Sequence, residues 1–509
     1  MEELKRLYQD SSHYLVGRVC LLLLGFVSFP LFTRLFSVSQ YGVINLVFKV
    51  VLAATVLSKL GIQNSVLRFY EEHAVSREGK SLRQYYSTLF FGPLGIALAV
   101  TVLFTVGVAV MPPTLVSAPI KRLLIFASLL IVIRSVWSIL AGFLRVEGKT
   151  KTYNVFDVLI KAETIALICV LLFMWKRSVW SFFAGTIAAE GTIALLVVAL
   201  LFRRRILALK AFDTKFMRVV VAFGLPLVVY ELASVILDSG DRVLVQYYLG
   251  AKELGYYSAA YNLSYYIQEA LGSPLNLALV PLYMKLWVTK GRAETQRFLS
   301  ESFDVFLMIA VGICATVVVT SRDAIIFLAS SKFQRAHELL PILVIGVMLY
   351  ALHIFLTAGL LIYKRTLTMA RQVVYACVLN ILLNVVLIPR VGLKGAAIAT
   401  LVSYGFLILL MARASFQILP IGIRFLGCAS YLAAALATWL LVSRIQMKTV
   451  LFSLAARGIA SMLAYTLLVC LLDRRTRMLI KQLLPWPRDR RTAEEAMLAG
   501  AISTAKDLP

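Results

Sequence analysis

The sequence predicts an all-α polytopic membrane protein of about 14 transmembrane helices, and three observations carry that expectation. Of 509 residues, 60% are hydrophobic and 15% charged, with a mean hydropathy of +0.85, against roughly half apolar in a soluble domain. The apolar residues gather in runs of about 20, the length a helix rising ~1.5 Å per residue needs to cross ~30 Å of hydrocarbon. Lys and Arg fall in short clusters between those runs, so the net charge of +26 reads as topology; no RNA- or DNA-binding signature accompanies it, and no nucleic-acid partner is expected.

Apolar length, punctuated by Gly, Pro and charge, places spans near 14–35, 41–61, 84–110, 122–145, 152–174 and 178–202. The first run follows MEELKRLYQDSSHYLVGR without a small-residue cleavage site, so it reads as a retained span. A basic connector, RRRILALKAFDTK (203–215), leads to spans near 216–238, 242–267, 299–321, 338–363, 368–389 and 393–412, then two more near 421–443 and 449–472. The stretch 254–288 is long for one helix, and Gly272-Ser273-Pro274 is the expected break. The domain reading is a six-helix lobe over 1–208, a second over 209–415, two additional helices over 416–473 and a basic tail over 474–509.

Loops of alternate parity differ in charge. The segments assigned to the cytoplasm hold 32 Lys and Arg and the opposite side about 14, which puts both termini in the cytoplasm. A faint repeat supports two halves of like orientation: LFSVSQYGVINLVF (35–48) superposes on YLGAKELGYYSAAY (248–261) at an offset of 213, Gly42 on Gly255, and GKTKTYN (148–154) matches KRTLTMA (364–370) in place.

No GxxxxGK[ST] or GxGxxG stretch occurs, and HELLP at His337 lacks a second histidine, so nucleotide hydrolysis and zinc proteolysis have no support. The six cysteines are far apart, which argues against a disulfide framework or metal site. No catalytic residue, cofactor or metal is expected, and the short loops leave little room for a catalytic domain.

What remains is charge at membrane depth, costing ~3 kcal/mol per residue if left at a helix centre. Arg18, Lys49 and Arg134 sit on three separate spans, with Arg34 at the far end of the first. Turned inward they would line a positive cavity suited to a pyrophosphate head group. The competing reading makes Lys59 and Arg34 interfacial anchors and lets Asp157 and Lys161, at i,i+4, neutralise each other. Glu231, Asp157 and Glu190 are the candidates for ion coupling; DSGDR (238–242) reads as a turn that caps helices and pairs charges, and His353 as a hydrogen-bonded packing residue. Pro30, Pro226 and Pro274 mark bends, structural or gating. The tail RRTRMLIKQLLPWPRDRR (474–491) reads as an amphipathic segment on anionic lipid or as a topology anchor with a disordered end.

FPLFTRLFSVSQYGVINLV (29–47) with LGIQNSVLRFY (60–70) resembles the N-terminal pattern of Wzx-type polysaccharide flippases, of the MATE-like MOP exporter superfamily. DRVLVQYYLGAKELGYYSAAYNL (241–263) and LNILLNVVLIPRVGLKGAAIATLVSY (379–404) resemble the matching segments of the second half, including Pro389, Gly392 and Gly395. The resemblance covers roughly 10–415 and implies two six-helix lobes forming a V, a cationic central cavity, and alternating access in the bacterial cytoplasmic membrane. The implied cargo is a polyprenyl-pyrophosphate-linked glycan, with membrane lipids, a coupling proton or sodium ion and glycan-assembly enzymes as further partners. Rival readings are a cation-coupled multidrug exporter of the same superfamily, an integral membrane polysaccharide polymerase or ligase, and a non-transporting scaffold.

Overall fold

The structure is a computed structural model that describes residues 2–74, 80–203, 206–445, 447 and 449–483. Among these there are helices and turns and no strand, as expected where backbone groups must be satisfied within each segment. In chain order the helices are α1 (Glu2–Leu35), α2 (Val38–Lys59), α3 (Ile62–Ala74), α4 (Lys80–Val110), α5 (Ala118–Ala127), α6 (Leu129–Val146), α7 (Thr150–Met174), α8 (Val179–Arg203) and α9 (Thr214–Ser239). They continue as α10 (Asp241–Ala329), α11 (Leu340–Ala351), α12 (His353–Leu356), α13 (Ala358–Ile362), α14 (Thr366–Val391), α15 (Leu393–Phe416), α16 (Phe425–Val442), α17 (Val450–Leu472) and α18 (Arg474–Leu483).

Eleven helical stretches of the described residues are long and apolar enough to cross a membrane. One of them, Thr214–Ala329, contains three of the expected spans. α7 falls outside that set because it carries Lys151, Asp157, Lys161 and Glu163. Together these account for the expected count of about fourteen.

The chain forms two compact units. The larger comprises 1–300 and 321–422; the smaller comprises 301–320 and 423–509. In the smaller unit, Arg424 spans two carboxylates, Asp304 at 2.7 Å and Asp473 at 2.9 Å, and Tyr431 donates to Asp304 at 3.2 Å. Tyr465 packs against Gly312 and donates to the Met308 carbonyl at 2.8 Å. α18 supplies the first ten residues of the expected amphipathic tail; 484–491 lie outside the described residues.

In the larger unit, the chain breaks at the points the repeat picks out. Ser37 starts α2 with a reciprocal capping box: its hydroxyl accepts from the Gln40 amide, and its own amide donates to the Gln40 side chain. The matching residue 213 positions later is Gly250, where the helical run turns with φ 83°, a conformation glycine reaches without steric cost. Gly148 (φ 69°) and Lys364 (φ 56°) likewise precede α7 and α14, which start at Thr150 and Thr366.

Two expectations need correction. The break foreseen at Gly272-Ser273-Pro274 does not occur; helix continues through it, and the non-helical residues of α10 are Gly250 and Gly291. Each has φ near 80°, whereas the missing amide of Pro274 removes one hydrogen bond and still permits a helical path. DSGDR is not an interhelical turn: Gly240, at φ −64° and ψ −28°, carries the helical path from α9 into α10. Asp238, Asp241 and Arg242 therefore sit within a long helical stretch. Pro30 and Pro226 also lie inside continuous helices.

The repeat is most visible where α2 crosses the segment that follows Gly250. Gly42 and Gly255, the pair the repeat superposes, face each other: a Cβ on Gly42 would collide with the Ala251 carbonyl oxygen, and one on Gly255 with that of Val38. At the other end of α2, Gly61 and Gly224 leave no room for a Cβ on either.

Candidate transport cavity

A cavity of about 580 Å³ opens between α1, α2, α9, the 261–277 stretch of α10, α11–α12 and α14–α15, all within the larger unit. Its charged lining residues are Arg18, Lys49, Glu231, Asp238 and Glu269. The wall is thus mixed in sign rather than purely cationic. Tyr230, Tyr261, Tyr265, Tyr350 and Tyr404 supply rings, and Gln268 and Asn276 supply amides.

The charges are arranged in pairs reached from different helices. Lys49 Nζ lies 2.9 Å from Asp238 Oδ2, while Tyr261 donates to Asp238 Oδ1 at 2.7 Å and shares a 2.8 Å hydrogen bond with Tyr404. Behind this pair, Arg242 is fully buried, donates to the Asp238 carbonyl at 2.8 Å and to Asp241 at 3.3 Å, and stacks 4.2 Å from the Tyr261 ring centroid. Asp241 also accepts from Tyr257 and Thr400. Asp241 thus gives Arg242 an acidic partner through one oxygen while Tyr257 and Thr400 occupy the other. Glu231 accepts from Lys59 Nζ and from Gln63 Nε2, both at 2.8 Å. The Lys49 and Asp238 side chains keep 24% and 32% of their exposure, so water and a polar cargo can reach them.

Of the cations the sequence singles out, the structure brings Arg18 and Lys49 to this wall. Arg18 is exposed and makes no ion pair among the described residues. Arg134 lies apart from the cavity, held by Glu190 through two bonds of 2.8 and 2.7 Å and set 4.2 Å from the Phe48 ring centroid. Arg34 donates to the carbonyls of Phe327 at 2.6 Å and Leu328 at 3.1 Å, and Lys332 returns bonds to the carbonyls of Arg34 and Phe36 at 2.9 and 2.7 Å. Among the acids, Glu231 is on the wall, Glu190 is with Arg134, and Asp157 accepts from the Trp137 indole at 3.2 Å away from the cavity. His353 is on the wall, with Nδ1 2.8 Å from the Tyr350 carbonyl oxygen and its ring stacked on Tyr350.

Sequence reasoning missed Asp238 and Glu269 as wall residues. Asp238 was hidden by the turn reading of DSGDR. Glu269 was hidden by the expected end of a span at 267, and only a helix continuing through Gly272 exposes it. The lining tyrosines offered a weak signal, the YY and Y-x3-Y spacings of 256–266.

The structure is similar to that of a lipid II flippase, MurJ, in an inward closed conformation, with a TM-score of 0.74 and 15% identity over 92% of this chain and 99% of that one. It is also similar to an inward-facing multidrug resistance MATE family transporter of the MOP superfamily, with a TM-score of 0.59 and 13% identity over 81% of this chain and 93% of that one. At such identities the likeness shows the fold alone, one shared with both of these transporters. No curated protein matches the sequence. The model of a family described as polysaccharide biosynthesis protein matches residues 7–287, more than half of the sequence, and the chain belongs to that family.

Proposed function

We propose that the protein is a flippase that moves a polyprenyl-pyrophosphate-linked oligosaccharide or polysaccharide repeat unit from the cytoplasmic to the outer leaflet of the bacterial cytoplasmic membrane. Alternating access runs between lobes 1–208 and 209–415, 416–473 contributes two additional helices, and both termini lie in the cytoplasm. The observation that carries the reading is the cavity of about 580 Å³, lined by Arg18, without an ion pair among the described residues, and by an accessible Lys49–Asp238 pair, in a chain of the polysaccharide biosynthesis family. A pyrophosphate needs fixed cationic donors and competes with the Asp238 carboxylate for Lys49. Arg18 is the first contact and Lys49 the second. The lipid tail stays in the bilayer.

With the cell interior negative, export of two negative charges through 100 mV releases about 4.6 kcal/mol. The potential alone favours export, and a proton or sodium ion at Glu231 adds to it if coupled. A multidrug exporter is the second reading, because carboxylates on the wall suit cationic cargo.

Proteoliposomes with a fluorescent polyprenyl-pyrophosphate saccharide test the proposal. The wild type should flip the lipid, and Arg18→Ala and Lys49→Ala should lose at least about tenfold in rate, the size of a lost charge-assisted bond. A folded wild type that flips no such lipid while transporting cationic dyes would move the assignment to drug export.

A further inference from the structure

The charge pairing around the cavity carries a statement about the glycan. Lys49 is neutralised by Asp238 and Glu231 by Lys59. That leaves Arg18 and Glu269 as the wall's charged residues without an ion pair among the described residues. The same two line a smaller adjoining cavity of about 290 Å³, together with Lys161, Tyr265, Tyr266 and Ser273. They are opposite in sign and line the same volume, without pairing with each other.

A cargo that satisfies both must carry a compact anionic end and a remainder that donates hydrogen bonds. We infer that Glu269 is a specificity-determining residue that selects glycans free of acidic sugars, holding a vicinal diol or an amino group of the saccharide while Arg18 holds the pyrophosphate. This rests on the flippase reading above. A carboxylate only accepts, so hydroxyl and ammonium donors satisfy it, whereas a second carboxylate from a uronic acid leaves two like charges facing each other in a partly desolvated cavity. Discrimination of this kind works by repulsion of the wrong cargo as much as by attraction of the right one. The surrounding tyrosine rings and the Gln268 and Asn276 amides suit sugar faces and hydroxyls without adding charge.

The test uses the full-length protein and two pyrophosphate-linked tetrasaccharides that differ in one residue, a hexose against the corresponding hexuronic acid. Binding of their water-soluble short-chain forms to detergent-purified protein is measured by calorimetry, and flipping of the polyprenyl forms is measured in proteoliposomes. The wild type should prefer the neutral glycan by about tenfold in both. Glu269→Gln should bring that ratio within about threefold by improving the acidic glycan, and Glu269→Asp should keep it. Equal binding of both glycans by the wild type, or a preference unchanged in Glu269→Gln, overturns the inference. Discriminating binding without flipping overturns the flippase reading and leaves the role of Glu269 standing.

Discussion

The two ends of α2 meet the second half of the chain by different physics. Near Ser37, contact is made chiefly by backbone: Gly42 and Gly255 bring two helices within van der Waals reach, Arg34 of α1 donates to carbonyls at the C-terminal end of α10, and Lys332, just past that end, donates to the carbonyls of Arg34 and Phe36 at the end of α1. Farther along, Gly61 and Gly224 again bring backbones together, and side-chain charge is added to that approach, Lys49 to Asp238 and Lys59 to Glu231. Backbone contacts depend on shape and have no other partner in a bilayer. Charge pairs next to a polar cavity have a competitor, the anionic cargo. The first kind fixes how the halves meet, and the second kind can be exchanged during transport.

The largest effect is expected from Gly255→Val. Its side chain would occupy the place of the Val38 carbonyl, and overpacking of this kind costs up to about 3 kcal/mol. A strong fall in the melting temperature of the purified protein should accompany loss of transport; an unchanged melting temperature would break the claim that this end is held by shape. An ion pair that does not line the cavity supplies the reference for a purely structural charge. Arg424→Met in the smaller unit strands Asp304, 8% exposed, and Asp473, 10% exposed, at a cost of about 2 kcal/mol, the range for buried pairs discounted for the exposure of Arg424. Its melting temperature should fall while its preference between charged cargoes stays at the wild-type value.

The same clamp gives a pH dependence. Burial pushes the Asp473 carboxyl up, but the bonds from Thr476 and Arg424 outweigh it and hold the group below the usual carboxylate range. A folded value below the unfolded one, near 3.9, means that the stabilisation is complete at neutral pH and is lost as pH falls from about 4 through the lower folded value. The melting temperature should therefore drop on acidification, and less steeply in Asp473→Asn.

How far these features were legible in the sequence depends on what encodes them. The span count follows from apolar length, which the bilayer enforces locally, and the Gly42–Gly255 correspondence was legible because a helix crossing that demands glycine leaves a glycine in both halves of the repeat. Arg18 and Lys49 were legible as charges at membrane depth. Asp238 was not: Gly240 between two acids carries the composition of a turn, and only the surrounding packing makes it helical. Nor was the fate of Arg134, because its partner Glu190 lies 56 residues away on α8 and charge alone does not reveal which cation is already satisfied.

The charge-held end can be probed through its pair. Lys49→Met and Asp238→Asn, singly and together, form a cycle whose coupling should be about 1 kcal/mol, modest because both side chains face the cavity. The informative readout is transport. Asp238→Asn frees Lys49 and should tighten binding of a pyrophosphate lipid while slowing its release, so the rate at saturating cargo falls though affinity rises. If affinity falls with the rate, the pair is structural, like that of Arg424, and the two ends of α2 are alike.

The smallest effect is expected at the reciprocal bonds of Arg34 and Lys332. Each places a cation at a helix C-terminus, a contribution of about 0.5–1 kcal/mol that falls off within one turn. Because both cations bridge the same two helix ends, α1 and the 327–328 end of α10, losing one loosens the seat of the other, and Arg34→Ala with Lys332→Ala should cost less than the sum of the single changes. A lysine at position 34 keeps a cation but has no fork with which to reach two carbonyls, so Arg34→Lys should recover only part of the loss. Melting temperatures of the four variants read this directly. Strict additivity would mean that the bonds cap their helices separately, and this end of α2 would then rest on the Gly42–Gly255 approach and on the bonds of Asn262 to Tyr41 and Asn45.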